Sequence, residues 1–329
     1  MAECLAAERA AASFPVRELT FYLDGGPEQT QMRERFEALI EAEPVFRRSS
    51  ADYTLSRPER YRLAMRKQLR LWELMNELGL RTDEERRALR TAVHDDLGTD
   101  LQNLMFVPNL KATFSDEQQA RWLPRAQAWE IIGCYAQTEL GHGSNVRALE
   151  TTATFIPETD ELEVHSPTLS ATKWWPGALG RTANFAIVFA RLVVGGRDLG
   201  IHNFLVQLRD LRTHAPLPGV SVGDIGAKIG YNAQDNGFCR FDRVRIPRDQ
   251  MAMRYARLSR SGEYTTGGTV RAFSPSAAPC PPPPAAAAVA SARTATPPTS
   301  NTLPTATTIP TIATTAAAAR WGAPPPTRP

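Results

Sequence analysis

The hydrophobic periodicity of the chain changes near Ile131, and this change limits the folds that the sequence can adopt. Before it, apolar residues recur every three or four positions, which is typical of amphipathic helices. After it, short β-branched and aromatic runs alternate with turn residues, which is typical of strands. The sequence therefore predicts an α+β fold, with a helical domain over residues 1–130 and an antiparallel β-barrel-like domain over residues 131–258.

Helix-boundary signals support the helical domain. Residues 29–43 carry apolar side chains at helical spacing and stop at Pro44, and residues 58–78 run from a first-turn proline to Gly79. Two capping boxes predict the starts of further helices: Thr82 to Glu85 and Ser115 to Gln118.

The predicted strands follow a short apolar run at residues 131–137. They occupy residues 149–156, 161–166, 169–175, 185–194, 200–208 and 237–246. Turn residues such as Gly195 and Gly196 separate them, as expected in an antiparallel barrel or sandwich. After Pro247, the segment RDQMAMRYARLSR predicts the start of another helix.

The composition changes again towards the C-terminus, where no Asp or Glu follows Glu263. Pro, Ala and Thr dominate this segment, and it has few large apolar groups to offset the entropy cost of ordering. A disordered low-complexity tail is therefore predicted over residues 259–329.

Several classes of protein are not favoured. No apolar stretch approaches the roughly 18 residues that span a bilayer, and charged residues interrupt the N-terminal apolar run, which argues against a secretory signal. The net charge of +3 is small and leaves no nucleic-acid footprint. The cysteines lie far apart, which predicts free thiols in a reducing compartment: Cys4, Cys134, Cys239 and Cys280.

The first informative motif is the run YAQTELGHGSN, from Tyr135 to Asn145. A predicted strand ends at Thr138, and the loop of small residues that follows allows backbone N–H groups to approach a planar or anionic ligand. The loop begins like GxGxxG but lacks the third glycine and any βαβ context, so a Rossmann site is not favoured. His142 is predicted to shape this loop or lie on the surface rather than act as a base.

The second motif is the run TKWWPG, from Thr172 to Gly177. Adjacent tryptophans on a strand point to opposite faces, so one of Trp174 and Trp175 can present a flat ring outward. The alternative is that both belong to the core. Gly177 permits close approach of a ligand to the backbone.

Taken in order, several blocks across residues 130–255 closely resemble the peroxisomal acyl-CoA oxidases, and GTDLQNLMFVPNL before them fits more loosely. The blocks are CYAQTELGHGSN, LETTATF, SPTLSATKWWPG, GIHNFLVQLRDL, PLPGVSVGDIG and DNGFCRFDRVRIPRDQM. The resemblance implies an FAD-dependent enzyme that oxidises acyl-CoA to trans-2-enoyl-CoA and passes electrons to O2, giving H2O2. It also implies a homodimer and a peroxisomal location, although the chain ends without a Ser-Lys-Leu-type signal.

The resemblance also assigns residues. Thr138 matches the threonine that contacts the flavin, and Gly177 matches the glycine that contacts FAD through its backbone. Trp174 or Trp175 is expected near the isoalloxazine ring, and Ser144 takes the place of a serine near the thioester in related dehydrogenases. Leu140 and the Trp-Trp-Pro-Gly run favour the oxidase branch over the dehydrogenases.

The family's general base is a glutamate of a C-terminal helical half, and no residue of this chain matches it. Glu139 and Glu150 belong to motifs in which the family's carboxylates have no such role, so no catalytic residue is assigned. The expectation is a chain that is inactive alone. A non-catalytic fragment that binds a full-length homologue, or an acyl-CoA dehydrogenase, are the alternatives, and acyl chain-length preference is not predicted.

Overall fold

The computed structural model describes residues 5–267, and its first half is helical. The α-helices are α1 (Ala6–Ala10), α2 (Val16–Asp24), α3 (Pro27–Ala42), α4 (Arg57–Glu77), α5 (Asp83–Ala92), α6 (Val107–Thr113) and α7 (Asp116–Gln127). Short 3₁₀ turns at Pro44–Phe46 and Ser50–Thr54 join α3 to α4, and a π-helical turn at Gln102–Phe106 leads into α6.

The local signals that predicted these helices are present as hydrogen bonds. Thr82 caps α5, since its hydroxyl accepts from the Glu85 N–H and the Glu85 carboxylate accepts from the Thr82 N–H. Ser115 and Gln118 form the same box at α7. These boxes satisfy N–H groups that a helix start otherwise leaves without partners.

The second half contains the strands. They are β1 (Gly133–Ala136), β2 (Thr152–Ile156), β3 (Glu161–His165), β4 (Lys173–Trp174), β5 (Phe185–Val194), β6 (Arg197–Gln207), β7 (Val220–Asp224), β8 (Gly237–Phe241), β9 (Val244–Pro247), β10 (Ala256–Leu258) and β11 (Tyr264–Thr266). Further 3₁₀ turns lie at Val146–Ala148 and Arg248–Gln250. The α+β class is confirmed.

The strands form a mixed six-stranded sheet, a three-stranded sheet and a hairpin. The long strand β5 organises the larger sheet: one edge pairs in parallel with β1 and β2, and the other pairs antiparallel with β6. The order is β1-β5-β2-β3-β9, with β6 on β5, and the smaller sheet has the order β4-β8-β7. The prediction of antiparallel pairing was therefore wrong where β1 and β2 pair with β5. Neither strand is joined to β5 by a hairpin, because the chain forms other strands before it reaches β5.

The side chains of β5 alternate between two cores, as the two-residue period of a strand requires. Phe185, Ile187 and Phe189 pack with Phe106 and other helical residues, and the residues between them pack with side chains from both sheets. A third core lies within the helices and includes Phe36. The central strand is thus buried on both faces, and one face anchors the helical half to the sheet.

The structure contradicts the helix that was predicted after Pro247. After one 3₁₀ turn it becomes the β10–β11 hairpin, because Ala256 and Leu258 are buried while Arg257 between them is exposed. This alternation has the strand period. The hairpin extends to Thr266, so the predicted tail does not begin at residue 259, and the rest of that prediction lies outside the described residues.

No helix among residues 5–267 is long and apolar enough to cross a membrane. The same residues hold no cluster of three or more His, Cys, Asp or Glu side chains suited to a metal ion. Cys134 and Cys239 are free and buried, as predicted, while Cys4 and Cys280 lie outside the described part.

Candidate functional site

An open cleft of ≈ 330 Å³ lies where the helical half meets the β domain. The loop after β1, the turn after β4 and the segment before β8 form it together with the π-helical turn. Its lining residues are Leu101, Met105, Tyr135, Thr138, Trp174, Trp175, Pro176, Gly177, Tyr231, Gln234 and Asn236. Both sequence motifs therefore contribute to one cleft, and its volume falls within the range of about 300–1,000 Å³ usual for ligand sites.

Backbone hydrogen bonds hold the two motifs side by side. The Trp174 N–H donates to the Thr138 carbonyl oxygen at 3.0 Å, and the Trp175 N–H donates to the Gly237 carbonyl oxygen at 2.9 Å. The Gly237 N–H in turn donates to Pro176 at 3.0 Å. Thr138 and Gly177 thus line the same cleft although they lie 39 positions apart in the chain.

The adjacent tryptophans have different environments. Trp174 is half-buried on β4 and stacks on Phe238, with ring centroids 6.3 Å apart. Trp175 leaves the strand with a φ of 88°, and the residue is 49% exposed. The alternative in which both tryptophans belong to the core is therefore wrong for Trp175, whose ring is available to a ligand in the cleft.

Gly177 lies at a crowded point of the cleft wall. A Cβ there would come within 2.9 Å of the Gln234 side-chain oxygen and 3.3 Å of a Leu101 methyl group. Any larger residue would have to displace these two side chains, both of which line the cleft. Glycine therefore keeps this wall open and leaves the backbone accessible.

Two polar atoms at the cleft are buried without a protein partner in the described part of the chain: the Tyr135 hydroxyl and the Asn236 side-chain oxygen. The Asn236 amide nitrogen is engaged, since it donates to the Trp175 carbonyl oxygen at 2.6 Å. Burial raises the pKa of Tyr135, so its hydroxyl remains a donor. Buried polar groups without partners are rare, and these two fit a polar ligand.

Sequence reasoning did not single out these groups. Tyr135 precedes Thr138 by three positions within the first motif, and Asn236 lies in the quoted DNGF block. The available signal was their place in these blocks, because neither residue type is unusual beside a strand. The sequence also did not predict Leu101 and Met105 as cleft residues, because only the fold brings the π-helical turn to the cleft.

The other polar residues of the first motif shape its loop. His142 and Glu150 form a side-chain contact of 2.8 Å, in agreement with the predicted role of His142 in the loop. Ser144 is exposed and does not line the cleft. The structure therefore does not bring Ser144 together with Thr138 and Gly177.

No carboxylate is present among the described residues that line the cleft. The Glu139 side chain is fully buried against Lys173, and Glu150 accepts hydrogen bonds from Thr168 and Ser170. Both carboxylates are thus held in structural contacts, and neither lines the cleft.

Comparison with known proteins accounts for both halves of the structure. Residues 15–132 match the family described as acyl-coenzyme A oxidase N-terminal, and residues 134–244 match the acyl-CoA dehydrogenase middle domain. This chain belongs to the acyl-CoA oxidase family. The N-terminal match is specific to oxidases by its description, whereas the middle-domain description names the dehydrogenases.

Relatives of this acyl-CoA oxidase family member are similar over most of the chain. The putative peroxisomal acyl-coenzyme A oxidase 1.2 of Arabidopsis thaliana is 47% identical over 270 residues, which cover 81% of this chain and 40% of the relative. The peroxisomal acyl-coenzyme A oxidase 1 of Mus musculus is 43% identical over 78% of this chain and 39% of its own length. The chain thus spans about 40% of the length of the relatives it matches.

Solved structures of the family share this fold. The acyl-CoA oxidase of Lycopersicon esculentum superimposes with a TM-score of 0.78 and 47% identity, covering 81% of this chain and 41% of that one. Acyl-CoA oxidase-1 of Caenorhabditis elegans, solved in complex with FAD and ATP, has a TM-score of 0.75 and 41% identity, covering 80% of this chain and 40% of that one.

Proposed function

We propose that this chain binds FAD in the cleft and provides the flavin-holding part of a peroxisomal acyl-CoA oxidase. The full reaction would oxidise acyl-CoA to trans-2-enoyl-CoA and reduce O2 to H2O2. The observation that carries this proposal is the convergence of Thr138, Trp175 and Gly177 on one cleft. FAD in the solved Caenorhabditis elegans oxidase supports the choice of cofactor.

The cleft residues suit a planar, hydrogen-bonding ring system. The Thr138 hydroxyl and the Tyr135 hydroxyl are donors, and the Asn236 side-chain oxygen is an acceptor that has no protein partner within residues 5–267. The exposed ring of Trp175 offers a flat apolar surface, and Gly177 allows close approach to the backbone. These groups would hold and orient FAD, which when bound supplies a hydride acceptor.

The proton-abstracting side of the reaction is proposed to come from outside the described cleft. A general base must reach the α-carbon of the substrate within hydrogen-bonding distance. The described lining residues include no carboxylate, and Glu139 is engaged with Lys173. We therefore infer that a glutamate outside residues 5–267, supplied by a longer chain or by a dimer partner, completes the site.

Titration of the full 329-residue chain with FAD tests the proposal. Quenching of flavin fluorescence should show saturable binding, and Thr138→Val should weaken it roughly fivefold, the effect of losing one hydrogen bond of about 1 kcal/mol. Thr154→Val, on strand β2 and outside the cleft lining, is the matched control. Absence of binding by the folded chain would rule out the proposal that this chain holds FAD.

A second assay separates cofactor binding from turnover. With FAD, O2 and palmitoyl-CoA, the chain alone should release no H2O2 above background, because the described residues that line the cleft include no carboxylate that could act as the base. Steady H2O2 production would show that a base is already present in this chain. Production only after addition of the helical half of a homologous oxidase would support the proposal in full.

A further inference from the structure

The most deeply buried charges of the described chain lie directly behind the cleft. The side chains of Glu139 and Lys173 are both 0% exposed, and the Lys173 ammonium donates to a Glu139 carboxylate oxygen at 3.0 Å. Neither residue lines the cleft, but Glu139 follows Thr138 and Lys173 precedes Trp174. Each charge is therefore one residue from a residue that lines the cleft, Glu139 from Thr138 and Lys173 from Trp174.

The ammonium of Lys173 has a complete set of three acceptors. Besides Glu139, it donates to the carbonyl oxygens of Gln137 at 3.2 Å and Phe189 at 2.6 Å. An ammonium has three N–H groups, so no donor is left over. The bond to Gln137 and the ion pair with Glu139 hold the chain on both sides of Thr138. The bond to Phe189 connects this segment to the central strand β5.

The carboxylate of Glu139 is equally saturated. One oxygen accepts from the Thr151 N–H at 3.0 Å and the Thr151 hydroxyl at 2.6 Å, and the other accepts from the Glu150 N–H at 2.8 Å. The pair therefore joins the loop after β1, strand β4, strand β5 and the start of β2. A fully satisfied buried network is rigid and permits a single arrangement of the segments that it joins.

Stability alone does not explain such a pair. Burying two charges is costly, and replacement of a buried ion pair by well-packed apolar residues is often neutral or stabilising. Burial lowers the pKa of Lys173 to about 8, against the attraction of Glu139, so the ammonium stays charged near neutral pH. Unlike an apolar pair, Glu139 and Lys173 form directional hydrogen bonds that connect the two cleft motifs.

We propose that Glu139 and Lys173 are positioning residues that fix Thr138 and Trp174 in the geometry that receives the flavin. The proposal rests on the proposed FAD site, and it assigns to the pair pre-organisation of that site rather than contact with the cofactor. A site whose loop is ordered before binding loses less conformational freedom when the ligand arrives.

The test removes both charges together in the full chain. Glu139→Leu/Lys173→Met leaves no lone buried charge, but the polar groups that bonded to the pair lose their partners, so the chain should fold with a lowered melting temperature. The dissociation constant for FAD should rise about tenfold, because the loop must be ordered on binding. The matched control is Glu163→Leu/Arg245→Met, which removes a cross-strand pair between β3 and β9 and should not change FAD affinity.

Hydrogen exchange measured without FAD tests the positioning role of Glu139 and Lys173 separately from the proposed FAD binding. The Leu140 N–H donates to Thr172 and the Trp174 N–H donates to Thr138, at 2.8 and 3.0 Å. In the double variant, these amides should exchange about tenfold faster while amides of β5 keep their protection. Unchanged exchange in the folded variant would overturn the positioning role. Failure of the unaltered chain to bind FAD would instead overturn the proposed function and leave the exchange result to decide on the pair.

A milder substitution covers the case in which the double variant does not fold. Thr151→Val removes the hydroxyl bonds to Glu139 and to the Ala171 carbonyl oxygen and keeps the ion pair. Exchange at Leu140 and Trp174 should then be about twofold faster, with a smaller loss of FAD affinity. No change in either measurement in this folded variant would count against the proposal.

Discussion

The shape of the cleft depends directly on Gly177, because glycine has no side chain that would crowd the cleft wall. An alanine Cβ at this position would lie 2.9 Å from the Gln234 oxygen and would crowd Leu101. Because the Gln234 side chain is flexible, the free energy of unfolding of Gly177→Ala should change by no more than about 1 kcal/mol. The affinity for FAD should fall about tenfold, because the two displaced side chains line the cleft.

Fluorescence titration with FAD and thermal unfolding measure these two effects. Gly143→Ala is the matched control, because a Cβ there has no neighbour within 4 Å. It should leave both quantities unchanged. If Gly177→Ala binds FAD as well as the original chain does, the backbone of residue 177 does not form part of the flavin site.

The residues that a motif can reveal are those whose chemical type is itself the signal. Thr138 and Gly177 were proposed as flavin contacts because a hydroxyl and a glycine stand at fixed places in recognisable blocks, and both line the cleft. Tyr135 and Asn236 were not found, because their importance lies in having no protein partner within residues 5–267, which only packing determines. The same holds for Glu139 and Lys173, whose pairing needs a contact across 34 positions of sequence.

At the scale of elements, strands with a clear two-residue period were predicted well, and those defined by their neighbours were not. The run at residues 185–194 matches β5 in full. Strand β7 (Val220–Asp224) was missed, because Gly223 and Asp224 weaken its pattern and pairing with β8 compensates. Strand β10 lies in a segment that was predicted as the start of a helix, because a short apolar run does not distinguish the two periods.

The glycine-rich loop between β1 and β2 offers a test by pH. Hydrogen bonds from Thr168, Ser170 and His142 lower the pKa of Glu150 to about 2 from its usual 4.5. Since the folded chain binds this proton less readily than the unfolded chain, the contribution of Glu150 to stability is complete above pH 4.5 and is lost as the pH falls towards 2.

Glu150→Gln should therefore reduce the loss of stability between pH 4.5 and pH 2. Urea-unfolding midpoints measured across this window provide the comparison. Glu158→Gln, in the exposed turn between β2 and β3, is the control and should behave like the original chain. Identical pH profiles for Glu150→Gln and the original chain would show that the hydrogen bonds to Glu150 do not persist in solution.

At the scale of the whole described molecule, the helical half and the sheet are joined at Gly133. The buried side chain of Gln102 accepts from the Gly133 N–H at 2.6 Å and donates to the carbonyl oxygens of Ala126 and Ile131. The ring of Phe106 lies so close to strand β1 that a Cβ at position 133 would come within 2.0 Å of it. The sequence pattern gave no sign of this contact, since it joins a π-helical turn to a strand whose partner is β5.

Gly133→Ala should therefore destabilise both halves together. Overpacking of a rigid core costs about 1–3 kcal/mol, and this contact belongs at the upper end of that range because the aromatic ring is fully buried. Far-UV circular dichroism reports mainly the helices, and tryptophan fluorescence reports the cleft and the shared core. The urea midpoints of both signals should shift by the same amount, because Phe106 and Phe185 belong to one cluster that spans the junction. A double-mutant cycle decides whether Phe106 is the cause: on a Phe106→Ala background, the additional cost of Gly133→Ala should fall close to zero. A cost that stays the same on both backgrounds would show that the junction is held by other contacts, and separate midpoints for the two signals would show that the halves unfold independently.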